Sequence, residues 1–365
     1  AEGASVAAVF TKNAFCAAPV TLCKKHLEAG QIRYLLTNTG NANAGTGKQG
    51  MADAVTCCNE MAERVGLSAE EIMPFSTGVI GEPLPVAKIT GALDAAIADL
   101  REDNWLDAAW GIMTTDTRAK AACEQIEIGG KTVTITGISK GAGMIKPNMA
   151  TMLGYVATDA KVDQALLQQW MSAATEKSFN RITVDGDTST NDSCVLVATG
   201  ASGAEVPASG AEADVFVAAL NRVMLQLAQL IVRDGEGATK FVEVRVSKAA
   251  SVQEALDVAY TIAHSPLTKT ALFASDPNWG RILACVGRAG VENLDLDGLQ
   301  IYLDQTCIVE NGGRAASYTE EQGQAVMNQE DILIHVVLNR GEVTESVWTT
   351  DLSKEYVAIN ADYRS

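Results

Sequence analysis

The segment EIGGKTVTITGISKG, residues 127–141, decides the fold class. Its Gly129-Gly130 pair is typical of the two-residue turn that joins antiparallel strands. From Lys131 to Ile138 every second residue is apolar or small, which indicates a strand with two different faces. The segment therefore predicts a β-hairpin, and a sheet that contains a hairpin is not purely parallel.

Helical and strand patterns interleave on both sides of this hairpin. The helical pattern at 51–66 ends at Gly66, a residue that commonly closes helices. We therefore expect an α/β chain, of the α+β type with mixed sheets. Further helices are predicted at 86–100, 104–115, 162–180, about 211–232 and 251–265. Further strands are predicted at SVAAVFTKN, IRYLLTNTG, EIMPFS, TMLGYVATDA, CVLVATG, FVEVRVS and ILIHVVLN, with several strands following residue 265.

Length and charge restrict the classes of protein. The chain has 365 residues, 47% of them hydrophobic, which is enough for two or three lobes around large cores. It carries 28 basic and 45 acidic residues, a formal net charge of −17. Nucleic acids and anionic membranes bind basic surfaces, so neither is an expected partner. No run of about 18 apolar residues is seen, so no membrane-spanning helix is expected.

The cysteines and histidines indicate neither disulfides nor a metal site. The eight cysteines form no CxxC pair, and the three histidines are isolated in the sequence. Scattered cysteines in apolar surroundings are typical of reduced core residues, so we expect a cytoplasmic protein without a metal. The first residues, AEGASVAAVFTKN, resemble a strand entered partway rather than a signal peptide, so we expect the natural start to lie upstream.

Two motifs resemble binding loops but lack a required residue. GTGKQG, residues 45–50, matches the dinucleotide pattern GxGxxG, but the next strand ends in Ser-Thr-Gly instead of an acidic residue. We interpret it as a structural Gly/Asn turn. DGDTSTNDS, residues 185–193, begins like a calcium loop, but Leu196 stands where a bidentate Glu is needed. We interpret it as a loop rich in hydrogen bonds, packed near a site.

The stretch KGAGMIKPNMATMLGY, residues 140–155, raises the question of a threonine nucleophile. No histidine or cysteine context supports a Ser-His or Cys-His pair. An N-terminal threonine uses its own α-amine as the base, because the pKa of that amine is about 8. Pro and Asn before Ala150-Thr151 favour a strained turn, where an N→O acyl shift starts self-cleavage. Taken alone, the stretch is better explained as an ordinary turn followed by a strand, because many loops contain Pro-Asn before a Thr.

This stretch resembles the autoprocessing segment of the ornithine acetyltransferase family (glutamate N-acetyltransferase) of arginine biosynthesis. The resemblance covers the whole chain, and its motifs occur in the family's order. They are FTKNAFCAAPV, TNTGNANAGTG, STGVIGEPLP, TTDT, NRITVDGDTSTND, RDGEGATKF, DPNWGRI and INADYRS.

The resemblance implies a chain cut between Ala150 and Thr151. It gives an α segment, 1–150, and a β segment, 151–365, that begins at the nucleophile Thr151. Thr77 and Gly78 match the family's oxyanion-hole pair. Substrate-binding residues carried over by the motifs are Thr114, Lys140, Thr151, Glu236, Asn360 and Ser365. Many relatives end in Thr where this chain has Ser365, which keeps the hydroxyl.

The reaction that the resemblance implies has two steps and no cofactor. N-acetylornithine acetylates Thr151 and ornithine leaves; glutamate then takes the acetyl group. Acetyl-CoA is an additional acetyl donor in some relatives. The two segments are expected to associate as an αβ hetero-oligomer, α2β2 or larger. The alternatives are an amidohydrolase or aminopeptidase of the same autoprocessed fold, in which water replaces glutamate, and a nucleotide-binding module built on GTGKQG.

Overall fold

The computed structural model describes residues 2–146 and 152–363. Within these residues the chain divides into two compact units. The first contains residues 2–180 and 187–231, and the second contains residues 181–186 and 232–363. Ala150, Thr151 and Ser365 lie outside the described residues, so the predicted cut and nucleophile are not located here.

The first unit contains two sheets. Their strands are β1 Ser5–Phe10, β2 Tyr34–Asn38, β3 Ile72–Ser76, β4 Lys120–Ile128, β5 Lys131–Lys140, β6 Leu153–Thr158 and β7 Ser193–Ala198. Five strands form one sheet in the order β1-β7-β6-β5-β4, and β2 pairs with β3 in parallel. The predicted hairpin is confirmed, because β4 pairs with β5 antiparallel and Ile128 lies opposite Lys131. Since β6 and β7 are parallel in the same sheet, the prediction of mixed sheets is confirmed as well.

Six helices belong to the first unit. They are α1 Ala18–Ala29, α2 Gly47–Val65, α3 Val86–Ala98, α4 Trp105–Gly111, α5 Gln164–Glu176 and α6 Ala211–Arg233, whose last two residues count with the second unit. The closing role of Gly66 is confirmed, because it adopts φ +69° and donates to the Ala62 carbonyl. Helix α1 was not predicted from the sequence. It has Pro19 in its first turn, and its Cys23 thiol donates to the Pro74 carbonyl of β3 at 2.9 Å.

Helix α6 passes a length and composition test for crossing a membrane, which the sequence analysis did not anticipate. Its side chains show a different role. Phe216, Leu220 and Leu227 are completely buried, and the Leu227 side chain lies against Gly137 of β5. Buried core helices have the same apolar composition as membrane helices, so we assign α6 to the core of the first unit.

The second unit is built on a six-stranded sheet. Its strands are β8 Phe241–Ala249, β9 Gln300–Leu303, β10 Thr306–Glu310, β11 Gly313–Arg314, β12 Asp331–Val337 and β13 Val343–Thr350. They follow the order β11-β10-β9-β12-β8-β13, in which only β12 and β8 pair in parallel. The helices are α7 Val252–Ala263, α8 Pro266–Phe273, α9 Trp279–Gly287, α10 Glu320–Met327 and α11 Lys354–Asp362. The several strands expected after residue 265 are therefore confirmed, and four helices that were not predicted, α8 to α11, lie among them.

Side-chain caps explain these additional helices. Ser265, Thr319 and Ser353 each accept a hydrogen bond from a backbone N–H in the first turn that follows. Such a cap replaces one of the hydrogen bonds that the first turn of a helix lacks. Helix α11 has no buried residue, so its sequence carries no apolar stripe to mark it.

Candidate active site

Strand β3 ends in a turn that only glycine can make. Gly78 follows the strand with φ +133°, and a Cβ there would lie 2.3 Å from the Gly40 carbonyl carbon and 2.5 Å from the Asn41 nitrogen. Both neighbours are backbone atoms, which cannot rotate away. The conformation at Gly78 therefore excludes every side chain.

This turn presents two potential hydrogen-bond donors. The Thr77 backbone N–H donates to the Asn38 carbonyl at 3.1 Å, so Thr77 can offer a ligand only its hydroxyl. Among the described residues, no hydrogen bond of normal geometry takes up the N–H of Gly78. A hydroxyl and an adjacent backbone N–H are the kind of donors that stabilise an oxyanion.

Lys140 brings together three of the predicted site residues. Its side chain is buried at the end of β5, with the residue only 8% exposed. The ammonium nitrogen Nζ lies 2.9 Å from Thr114 Oγ1 and 3.1 Å from Thr77 Oγ1. The predicted oxyanion turn and two predicted substrate-binding residues are therefore parts of one cluster in the first unit.

A buried ion pair beside this cluster was missed by sequence analysis. Asp116 Oδ1 lies 2.6 Å from Lys120 Nζ, and both side chains are at most 1% exposed. Burial alone would raise the pKa of the Asp116 carboxyl, but the ammonium groups of Lys140 and Lys120 outweigh burial and hold it below its usual value. Lys120 is the first residue of β4, a strand that also contains Glu124 and Glu127, so the local sequence carried no signal of a buried charge.

The loop of residues 185–193 supports the same turn, as its interpretation as a hydrogen-bonded loop predicted. The Asn191 side-chain nitrogen Nδ2 donates to the Ala42 carbonyl at 2.6 Å and to the Ser76 carbonyl at 2.9 Å. Ser76 is the residue before Thr77, so this amide holds the end of β3 in place. In the described part of the chain, no group of three acidic, His or Cys side chains is arranged to hold a metal ion.

Asp192 is an unusual neighbour of this loop. It is 2% exposed, and its oxygen Oδ2 has no hydrogen-bond partner among residues 2–146 and 152–363. Burial raises the pKa of Asp192 well above its usual value, although hydrogen bonds from Ser189 and Met152 and the charge of Lys140 act in the opposite direction. Burial therefore disfavours the charged form of Asp192.

The GTGKQG segment is a closed turn at the start of α2, as its interpretation as a structural turn predicted. Thr46 Oγ1 donates to Asn43 Oδ1 at 2.8 Å, and Asn43 Nδ2 donates to the Gly50 carbonyl at 2.8 Å. A Cβ at Gly50 would fall 1.8 Å from Thr46 Oγ1. The glycine therefore makes room for the threonine side chain of its own turn.

The two predicted site residues of the second unit contact each other. Asn360 Nδ2 donates to Glu236 Oε2 at 2.7 Å, and Glu236 is 8% exposed. Gly237 has φ +65°, and a Cβ there would lie 2.5 Å from Ser353 Oγ. The loop that carries Glu236 thus packs against the start of α11, the helix that carries Asn360. Burial and the Glu236 charge both raise the pKa of Tyr363.

Comparison with known proteins gives this arrangement a family. The model of the ArgJ family matches residues 1–365. The chain belongs to the ArgJ family. Two relatives bear the name arginine biosynthesis bifunctional protein ArgJ. The protein from Pseudomonas fluorescens (strain Pf0-1) is 61% identical, and the one from Psychrobacter arcticus is 56% identical; each alignment covers 100% of this chain and 90% of the relative.

A solved structure supports the fold of this ArgJ-family chain. It is the crystal structure of arginine biosynthesis bifunctional protein argJ from Bacillus halodurans, 40% identical with a TM-score of 0.56. The match covers 58% of this chain and 100% of the solved chain. The α/β class with mixed sheets, expected from the hairpin, is therefore shared with a solved ArgJ protein.

Proposed function

We propose that this ArgJ-family enzyme transfers the acetyl group of N-acetylornithine to glutamate in arginine biosynthesis. The products are ornithine and N-acetylglutamate. The observation that carries the proposal is the cluster of Lys140, Thr77 and Thr114, set in a chain that matches the family over its full length. A buried ammonium beside an oxyanion turn suits a substrate that has both a carboxylate and an acyl group.

The chemistry begins with self-cleavage between Ala150 and Thr151, giving segments 1–150 and 151–365. The Thr151 hydroxyl then attacks the acetyl carbonyl of N-acetylornithine while its α-amine accepts the hydroxyl proton. The developing oxyanion receives hydrogen bonds from the Thr77 hydroxyl and the Gly78 N–H. When it collapses, the amine returns the proton to the departing ornithine nitrogen. Glutamate repeats these steps in reverse and regenerates Thr151.

Each binding residue has a separate part in this scheme. The Lys140 ammonium pairs with the α-carboxylate that both amino acids carry, and the Thr114 hydroxyl fixes the ammonium. Glu236 pairs with the δ-ammonium of ornithine, a group that glutamate lacks. Asn360 orients Glu236 through the 2.7 Å hydrogen bond, and Ser365 contributes a hydroxyl.

We also propose acetyl-CoA as a second acetyl donor, since the relatives are named bifunctional. No cofactor or metal takes part in the scheme. The segments stay associated after cleavage as an αβ hetero-oligomer of α2β2 size or larger, in the cytoplasm.

Two measurements test the proposal. Intact mass spectrometry of the wild type should give two fragments that meet at Ala150/Thr151, and Thr151→Ala should give one uncut chain. Wild-type enzyme supplied with N-acetylornithine and glutamate, without acetyl-CoA, should form N-acetylglutamate. Release of free acetate at the same rate with and without glutamate would instead identify an amidohydrolase.

A further inference from the structure

One buried carboxylate contacts several parts of the Lys140 cluster. Asp116 Oδ1 accepts the Gly141 N–H at 2.7 Å, directly after Lys140 in the chain. Asp116 Oδ2 accepts the Thr114 N–H at 3.1 Å and lies 3.9 Å from Lys140 Nζ. The Asp116 carboxylate therefore fixes the backbone of Thr114 and the backbone of Gly141, and it attracts the Lys140 ammonium.

The carboxylate is itself fixed from its other side. Lys120 Nζ lies 2.6 Å from Asp116 Oδ1 and also donates to the Arg118 carbonyl at 3.4 Å. A buried carboxylate loses its hydration, so it needs such a partner to remain charged and in one orientation. Neither Asp116 nor Lys120 supplies a hydroxyl that Lys140 contacts; those hydroxyls belong to Thr77 and Thr114.

The Lys140 ammonium makes two kinds of contact, hydrogen bonds to hydroxyls and a longer electrostatic contact with a carboxylate. Its hydrogen bonds at 2.9 and 3.1 Å go to Thr114 and Thr77, whereas Asp116 at 3.9 Å lies beyond direct hydrogen-bond distance. The carboxylate therefore attracts the ammonium into place without neutralising it through a close pair. If Asp116 lost its anchor, it would be able to approach Lys140 and compete with a substrate carboxylate.

We propose that Asp116 is a positioning residue for Lys140 and that Lys120 anchors Asp116 in this role. The inference rests on the proposed function, in which Lys140 binds the α-carboxylate of both amino acids. Asp116 acts through Lys140 and has no contact of its own with substrate.

The principal test is a double-mutant cycle with Asp116→Asn and Lys140→Met. Asp116→Asn should raise the KM for N-acetylornithine and for glutamate about 10- to 100-fold, with a smaller change in kcat. This is the worth of the charge-assisted hydrogen bond between Lys140 and the substrate carboxylate, which a displaced ammonium no longer makes. In the Lys140→Met background, the same substitution should change both KM values less than twofold. An unchanged KM in Asp116→Asn, or effects that multiply fully in the double variant, would overturn the positioning role.

A second variant guards against misfolding. Asp116→Asn leaves Lys120 buried without its carboxylate, whereas the pair Asp116→Asn/Lys120→Met removes both charges, a change that proteins often tolerate. This pair should fold with a normal thermal transition and still show the raised KM. A normal KM in the folded pair would refute the proposal.

Asp159→Asn is the matched control. Asp159 also accepts a backbone N–H in the first unit, from Thr134 at 2.9 Å, and among the described residues it makes no hydrogen bond or ion pair with Thr77, Thr114 or Lys140. We expect it to lower thermal stability without altering KM. Calorimetric titration of glutamate needs no turnover, so it tests the positioning role of Asp116 separately from the proposed acetyl transfer. Wild type that binds glutamate more tightly than Asp116→Asn but forms no N-acetylglutamate would refute only the proposed function.

Discussion

Replacing Gly78 by alanine tests the turn at the end of β3. The new Cβ would lie 2.3, 2.5 and 2.7 Å from three backbone atoms of Gly40 and Asn41, so the turn has to move. The φ of +133° adds strain of about 1–3 kcal/mol for a residue with a side chain. Overpacking adds about 1–3 kcal/mol. We expect the free energy of unfolding to fall by about 2–6 kcal/mol.

The same substitution should reduce catalysis more than binding. Displacing the turn misdirects the Gly78 N–H, and loss of one oxyanion donor typically costs about 10²–10³ in kcat. The KM for both amino acids should change less than kcat, because Lys140 and Thr114 lie outside the turn and Lys140 keeps its 2.9 Å hydrogen bond to Thr114 when Thr77 moves. Steady-state kinetics and chemical unfolding of the same preparation measure the two effects.

Gly81→Ala supplies the control from the same loop. Gly81 also has a positive φ, +88°, but nothing lies within 4 Å of its Cβ position. This variant should lose about 1–2 kcal/mol of stability and keep nearly wild-type kcat. If Gly78→Ala retains wild-type kcat while it loses no more stability than Gly81→Ala, the reasoning about the turn is wrong.

Four further predictions concern Asn191, Glu236, Asp192 and Lys269, a buried residue of α8. Asn191→Ala leaves the Ala42 and Ser76 carbonyls without their donor, and should cost about 1–3 kcal/mol of stability and lower kcat; unchanged kcat would contradict a support role. Glu236→Gln should raise the KM for N-acetylornithine about 10- to 100-fold and leave that for glutamate nearly unchanged, and equal effects on both would refute ornithine recognition. The folded-state pKa of Asp192 is raised, so its contribution to stability is greatest below about pH 4 and is lost as the pH rises. The stability of Asp192→Asn relative to wild type should therefore increase as the pH rises above about 4, by up to about 1.4 kcal/mol per pH unit in urea unfolding, and parallel pH curves would contradict the raised pKa. Burial lowers the pKa of Lys269 from 10.5 to about 7, although the charges of Asp351 and Asp185 oppose the shift. Between pH 7 and 10.5 the unfolded chain therefore binds more protons than the folded chain, so the stability of wild type relative to Lys269→Met should rise with pH in that window. Parallel stability curves for the two proteins would exclude the shift.

The sequence was sufficient to predict elements whose signals are local. The hairpin at 127–141 needed only its two glycines and alternation, and the end of α2 needed only Gly66. Helix α11 was not predicted, because none of its residues is buried and the apolar pattern that marks most helices is missing.

Some residues of the candidate site could likewise be predicted from local motifs, and others could not. Family motifs supplied Thr77, Thr114 and Lys140, and the structure places their side chains in contact. Asp116 and Lys120 were not predicted, because each looks like an ordinary charged residue until the burial of the other is known. The roles of Asn191 and Asp192 depend on contacts with residues more than 30 positions away or on burial, which no local pattern records.

The strand order of the five-stranded sheet constrains what a break at 150/151 can do to the molecule. Strands β6 and β7 come after the break, yet β1 and β5, which come before it, pair along their two outer edges. Each of these two edges joins six residue pairs. The fragments would be interlocked rather than docked, and they would separate only by unfolding. Dilution should therefore not dissociate them, and reassembly from isolated fragments would be a folding reaction instead of a binding equilibrium.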